Sequence, residues 1–318
     1  LVNHLKDPSQ TRDRKIRQQA LKYTLFNDEL YRRTIDGLFL KCLDSDQSRI
    51  AMGEVHEGIC GTHQSAHKMR WLLKRAGFYW PTLLEDCFRY YKGCEACQKF
   101  GNIQLAPAAM LNPIIRPWPF RGWGLDFIGE IHPSSSKRHR FVLVATDYFT
   151  KWTEAVPLKN MTHKEVISFV LEHIIHRFGI PQTLTTDQGA SFMSHQFREF
   201  AESLGIKLLN SSPYYAQANG QAESSNKTLI KLIKKKIEEH PKRWHEVLSE
   251  ALWAHRISKH GATQVAPYDL VYGQEAVLPV EVNLQALRVA RQNDLSVVDY
   301  NDLMMDNIDD ISEERLRA

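Results

Sequence analysis

Hydrophobic and polar positions change their spacing several times along the second half of this chain, and the changes outline an alternating fold. Apolar runs of strand length predict strands at 123–131, 141–147 and 152–157, the first two separated by the polar stretch Ser134-Ser-Ser-Lys-Arg-His-Arg140. Val166, Val170, Ile174 and Phe178 mark one face of a helix over about 162–178. A β-branched strand at 183–186 follows. Next comes a helix at 194–204 with Phe197, Phe200, Ala201 and Leu204 at i, i+3, i+4 and i+7, then a short strand, Lys207-Leu-Leu-Asn210. Three strands and then α, β, α, β predict the α/β class, a mixed five-stranded sheet with flanking helices on both faces.

The first hundred residues have a different rhythm. Residues 1–20 are polar and charged and read as a lead-in. Tyr23-Thr-Leu-Phe, Leu30-Tyr-Arg-Arg-Thr and Leu38-Phe-Leu-Lys-Cys-Leu predict a three-strand meander, with Asp36-Gly37 as a hairpin turn. A helix from about Lys68 ends at Gly77, and a second carries Leu83, Leu84, Cys87 and Tyr90 on its apolar face. Prolines at 107, 113, 117 and 119 make 101–120 a stiff linker without periodicity. After the alternating part, Val247, Leu248, Ala251, Leu252, Ala254 and His255 give an amphipathic helix over Trp244–His260. Beyond 283 the chain turns acidic, with Asp306, Asp309, Asp310, Glu313 and Glu314. The expected organisation is therefore a lead-in and meander (1–48), a small helical domain (49–100), a linker (101–120), a core (121–282) and an acidic tail (283–318).

Composition bounds this picture without deciding it. A chain of 318 residues holds two or three domains, and a net charge of +4 excludes a general polycation, so local charge matters more. Five cysteines, an odd number, without a signal peptide or an 18-residue apolar run, fit a reducing compartment and no membrane partner. The chain opens on Leu1 rather than Met, which fits a product excised from a polyprotein.

Two sets of residues carry chemistry. His56 and His63 enclose six residues, and 30 more precede Cys94-Glu-Ala-Cys97, an H-x6-H-x30-C-x2-C pattern. Two thiolates from one turn and two imidazoles complete the tetrahedron that zinc prefers, with His67 an alternative to His63. The bland alternative is two surface histidines beside two buried thiols. Cys42, Cys60 and Cys87 read as small buried hydrophobes. The second set is acidic. Asp126 lies in the apolar Trp-Gly-Leu-Asp-Phe-Ile-Gly, Asp187 at the exit of the 183–186 strand, and Glu223 follows after 35 intervening residues at the start of a long helix. A lone Asp before Gly is more often a turn residue than a ligand, and Asp147 and Glu130 are read as such bystanders. Three carboxylates converging on one point repel one another, and a pair of Mg²⁺ or Mn²⁺ ions relieves that, as in two-metal phosphoryl transfer.

In order and spacing these motifs resemble the integrases of Ty3/Gypsy-type LTR retrotransposons, with an H2C2 zinc-binding domain before a D,D(35)E core, over about Phe26–Asn283. The resemblance implies an RNase H-like core with Asp126 beside Asp187. It implies catalysis by Asp126, Asp187 and Glu223 holding two Mg²⁺ or Mn²⁺ ions, and one structural Zn²⁺ on His56, His63, Cys94 and Cys97. Expected partners are double-stranded DNA, as element ends and target, and further copies of the chain. The expected activity is 3′-end processing and strand transfer, in the nucleus after a cytoplasmic particle stage. The alternative is a degenerate or domesticated fragment that binds DNA or protein without catalysis.

Around Glu223, Gln217, Asn219 and Gln221 lie in a loop able to reach phosphates or bases. Lys227, Lys231 and Lys234 share the Glu223 side of the helix wheel, opposite Leu229, Ile233 and Ile237. That lysine row is either a phosphate track or a solvated face with Glu–Lys pairs. The chain departs from the family at Tyr215-Ala216, where His-Pro is usual, and at Arg256-Ile257, where Arg-Thr is usual. Longer relatives continue into a small β-barrel, for which no counterpart follows residue 283.

Overall fold

The computed structural model describes residues 2–7, 14–34, 37–58, 61, 63–99, 118–210, 230, 234, 241–261, 263–286, 289 and 296–317. Its contacts divide the chain into two compact units, Leu1–Gln98 with Val277–Met305, and Lys99–Ala276 with Asp306–Ala318.

The first unit opens with two short helices, α1 (Val2–Lys6) and α2 (Arg14–Ala20), and strands β1 (Tyr23–Phe26), β2 (Glu29–Arg33) and β3 (Phe39–Cys42). Asn27 and Asp28, at φ 49° and 60°, make the two-residue β1–β2 turn, the left-handed pair that Asn and Asp tolerate best. Gly37, at φ +84°, serves the next turn, while Asp36 lies outside the described residues. The meander is extended rather than isolated. Strand β4 (Phe78–Tyr79) joins it in the order β1-β2-β3-β4 and runs parallel to β3. Meander and helical domain therefore share one sheet and one compact unit. α3 (Ser45–His56) begins at a capping box, in which the Asp44 carboxylate accepts the N–H groups of Asp46 and Gln47. α4 (Ala66–Arg75) ends where Gly77 takes φ +83°. α5 (Leu83–Gly93) and α6 (Glu95–Lys99) follow. Met69, Leu72, Leu73, Val55, Phe78 and Cys87 are buried among them. α12 (Pro279–Asn283) also belongs to this unit, where Lys41 donates to the Leu284 carbonyl at 3.0 Å.

The second unit contains β5 (Gly122–Gly129), β6 (Phe141–Asp147), β7 (Thr153–Leu158), β8 (Thr183–Thr186) and β9 (Lys207–Asn210) in one sheet of order β7-β6-β5-β8-β9. β5, β6 and β7 are antiparallel, while β8 and β9 run parallel to β5, the mixed sheet that the sequence predicts. Trp123, Leu125, Leu143, Ala145 and Leu184 point to one face and meet Val166, Phe169, Val170 and Ile174 of the first flanking helix and Phe197 and Ala201 of α9 (His195–Ser203). That first helix is α7 (His163–Phe169), a π-helical stretch Val170–Ile175 and α8 (His176–Phe178). Its apolar residues recur every four positions, which overshoots a 3.6-residue turn at each step, and the wider π turn absorbs the excess. Ile128, Val142, Val144 and Ala155 point to the other face, under Trp244, Leu248, Ala251 and Leu252.

The helix expected over Trp244–His260 is shorter. Residues 241–247 are turns and α10 spans Leu248–Arg256. α11 (Pro267–Tyr272) ends at Gly273, whose φ of +76° and a Cβ position 3.1 Å from Ile311 both call for glycine. The expected acidic tail contains a helix, α13 (Val297–Arg317), and Arg315 donates to the last carbonyls of α11, those of Leu270 and Val271.

Candidate metal centres

His56 ends α3, His63 follows in a loop at φ +50°, Cys94 caps α5 and Cys97 lies in α6. A His63 N–H bond to the His56 carbonyl (2.9 Å) closes the loop that brings the two histidines together. One ligand atom from each of the four residues can be chosen so that all lie within 4.8 Å of one another. Cys97 Sγ is 3.4 Å from His56 Nε2 and 3.9 Å from His63 Nδ1, and Cys94 Sγ is 3.3 Å from His63 Nδ1. With Zn–N near 2.0–2.1 Å and Zn–S near 2.3 Å, a tetrahedral ion would set N···S edges of roughly 3.5 Å. The donor set and its spacing therefore fit zinc. His67 stands apart, its ring edge-on to Phe88 at 5.2 Å, whereas His63 lies in the four-residue cluster. Cys87 is fully buried and burial pushes its thiol up to about 12, while burial likewise lifts Cys42 to about 11, so both remain neutral thiols. Cys60 lies outside the described residues.

The two aspartates are related through strand register. β5 and β8 pair Gly122 with Thr183, Trp123 with Leu184 and Gly124 with Thr185. The pairing ends at Gly124–Thr185; carried two steps further it would bring Asp126, on the face that carries Ile128 and Val144, opposite Asp187, which directly follows β8. Adjacent strands lie about 4.8 Å apart, a span that divalent ions set about 3.5–4 Å from each other can bridge. β8 is buried throughout, and Asp187 is its first exposed successor. Its Oδ1 accepts the Gly189 N–H at 2.9 Å, and a Cβ on Gly189 would stand 3.0 Å from that oxygen, so the turn is fitted to the carboxylate. Asp126 Oδ1 accepts the N–H of Phe127 at 2.8 Å.

Glu223, Lys227, Lys231, Gln217, Asn219 and Gln221 lie outside the described residues. Two later residues, Ile230 and Lys234, are described, and both are helical. Ile230 is half-buried against the cluster of Val144, Trp244 and Leu248, and Lys234 is exposed.

The two bystander acids have structural partners. Asp147 is fully buried and accepts the Phe120 N–H (3.0 Å), the Thr150 N–H (2.8 Å) and the Thr150 hydroxyl (2.7 Å); burial pushes it up to about 6 against the pull of those donors. Glu130 pairs on the surface with Arg140 at 2.9 Å. Sequence reasoning missed a buried ionic cluster. Glu154 on β7 receives Arg256 at 2.9 Å and Arg177 at 2.8 Å, and Arg256 lies 4.2 Å over the Trp152 ring and donates to the Thr153 carbonyl. The only sequence signal was Arg256 itself, noted as a family position without an assigned partner.

Residues 44–102 match the family described as Integrase zinc binding domain, and residues 117–216 match the Integrase core domain. The first domain implies zinc and the second a divalent metal. The Pro-Pol polyprotein of feline foamy virus is 31% identical over 229 residues, which is 71% of this chain and 19% of that protein. The Gypsy retrotransposon integrase-like protein 1 of Pongo abelii is 26% identical over 241 residues, 76% of this chain and 45% of that protein. The chain thus spans about a fifth of the viral polyprotein and under half of the Gypsy-type relative. Among solved structures, a simian T-cell lymphotropic virus intasome in complex with PP2A regulatory subunit B56 gamma aligns with a TM-score of 0.46 at 23% identity, covering 66% of this chain and 73% of that one.

Proposed function

We propose that this relative of the retroelement integrases, carrying their zinc binding and core domains in series, trims the 3′ end of element DNA and joins the freed hydroxyl to target DNA. The observation that carries the reading is the parallel pairing of β5, which holds Asp126, with β8, which leads directly into Asp187. Asp126, Asp187 and Glu223 would hold two Mg²⁺ or Mn²⁺ ions, which when bound activate the attacking water or hydroxyl and stabilise the leaving oxygen. On the helix expected from the sequence, Glu223 and Ile230, seven residues apart, would share a side. Ile230 packs on the sheet face that carries Asp126, which supports Glu223 as the third ligand. Lys227, Lys231 and Lys234 would contact backbone phosphates, and Gln217, Asn219 and Gln221 the unpaired end of the DNA. His56, His63, Cys94 and Cys97 hold one zinc that maintains the N-terminal domain.

The DNA partner in this reading is a double-stranded element end and a target duplex, engaged by more than one copy of the chain in the nucleus. No described helix is long and apolar enough to cross a membrane. The test is strand transfer on a short duplex with Mg²⁺ or Mn²⁺, using the wild type and Asp126→Asn, Asp187→Asn and Glu223→Gln. The wild type should join ends, and each amide should abolish joining with DNA affinity nearly unchanged. A wild-type chain that binds DNA but never joins it would favour the non-catalytic alternative.

A further inference from the structure

A second pair of histidines lies in the core unit, far in sequence from the H2C2 motif. His139 closes the β5–β6 hairpin, where Ser135 Oγ accepts the His139 N–H at 3.0 Å and meets its ring Nδ1 at 3.1 Å. His245 lies in the turns that precede α10. The two segments are fastened by a Ser136 N–H bond to the Lys242 carbonyl (2.7 Å) and a Trp244 Nε1–H bond to the Pro133 carbonyl (3.3 Å). Trp244 is fully buried on the sheet, so the hairpin and the turn have a rigid floor.

Between them the rings of His139 and His245 stand 5.2 Å apart at 60°. The His56–His63 pair of the H2C2 site has nearly the same relation, 5.0 Å and 69°. Two imidazoles bound to one tetrahedral ion at about 2.0–2.1 Å put their ring centres roughly 5.2 Å apart. The His245 side chain is only 4% exposed, and both of its ring nitrogens are buried without a hydrogen-bond partner. A buried imidazole with two unpartnered nitrogens is costly and calls for an unseen water or ion. Ser135 occupies Nδ1 of His139, which leaves Nε2 as the ligand atom, the arrangement in which an outer partner fixes the tautomer of a metal-binding histidine. At the rim, Glu246 Oε1 lies 3.9 Å from His245 Nε2, while the same carboxylate pairs with Arg243.

We propose that His139 and His245 form a second metal site, for a zinc-class ion, which clamps the β5–β6 hairpin to the segment leading into α10. Imidazole nitrogens select such ions over Mg²⁺. The remaining positions fall to water. Lys137 and Lys159 both face His139 and repel a dication. With two neutral ligands and no thiolate, this site binds more weakly than the H2C2 set.

Equilibrium dialysis of the full chain against zinc, up to roughly 100 μM, tests this. The wild type should pass from one bound zinc to two, while His139→Asn and His245→Gln stop at one. The second zinc should persist in Asp126→Asn/Asp187→Asn, which separates this site from the acidic one. Added zinc should slow tryptic cleavage after Lys137, Arg138 and Arg140 in the wild type alone. If His245→Gln loses its native Trp fluorescence, His139→Asn, whose residue is only half-buried, carries the test. A second zinc held equally by His139→Asn, or a wild type that saturates at one, overturns the proposal.

Discussion

Replacing Cys97 by Ser should release the H2C2 zinc and unfold the N-terminal domain while leaving the core folded. Cys97 and His56 are both buried, so loss of the ion strands their polar atoms away from water. Structural zinc contributes about 10–16 kcal/mol at neutral pH in small domains of this type. Against that, a segment the size of residues 44–102 keeps on the order of 3–9 kcal/mol of net stability, at roughly 0.05–0.15 kcal/mol per residue. Losing the metal's whole contribution of about 10–16 kcal/mol therefore exhausts the domain's margin. α3 ends at His56, α5 ends beside Cys94 and α6 contains Cys97, so these helices should melt together. The assay is zinc stoichiometry with thermal circular dichroism, reading the core separately through amide hydrogen exchange of its sheet strands β5 to β8. The variant should show no stoichiometric zinc, a loss of helical signal at 25 °C and unchanged exchange in the core strands. Stoichiometric zinc in the variant with unchanged melting would refute the reasoning.

Arg256→Met should destabilise the core by about 3 kcal/mol, the lower end for breaking a buried pair, because the more exposed Arg177 still reaches Glu154; a urea-unfolding change below about 1 kcal/mol would count against a structural role for the cluster. Asp147 has a folded pKa raised by burial from 3.8 to about 6, so its stabilising share is present below the lower value and is lost as pH rises through the upper one, by about 3 kcal/mol in all. Relative to wild type, Asp147→Asn should gain stability between pH 4 and 7, and a pH-independent difference would sink this account. Changing Lys227 and Lys231 to Ala should make the log–log salt slope of DNA binding shallower by about two units, and an unchanged slope would make the lysines a solvated face.

Much of this was legible because it is local. The H2C2 ligands are fixed by spacing within short segments, and the strands of the core by apolar runs that meet a single sheet. What stayed hidden needed partners distant in the chain. The two-residue strand β4 has no periodicity to read, and exists because β3 offers it an edge. The π segment shows only as a constant four-residue repeat, which a sequence reading takes for an ordinary helix. Glu154, Arg177 and Arg256 each look like surface charges until β7, α8 and α10 converge. Spacing alone also left His63 and His67 open, whereas His63 lies in the four-residue cluster and His67 against Phe88.

The two aspartates on neighbouring strands show how register decides chemistry where residue type does not. Asp147 pairs across the sheet with Trp123, whereas Asp126 pairs with Val144. Trp123 and Asp126 are three positions apart, an odd number, so their side chains leave opposite faces of β5. Asp147 therefore faces the side packed by α7 and α9, where only burial and hydrogen bonds from Phe120 and Thr150 await it. Asp126 faces the side of Ile128 and Val144, where Ile230 packs, beside the strand that leads into Asp187. A one-residue slip of β5 against β8 would exchange these fates and separate the carboxylates. The Gly122–Thr183 to Gly124–Thr185 pairing is thus the feature on which the acidic site depends, more than on any single acid.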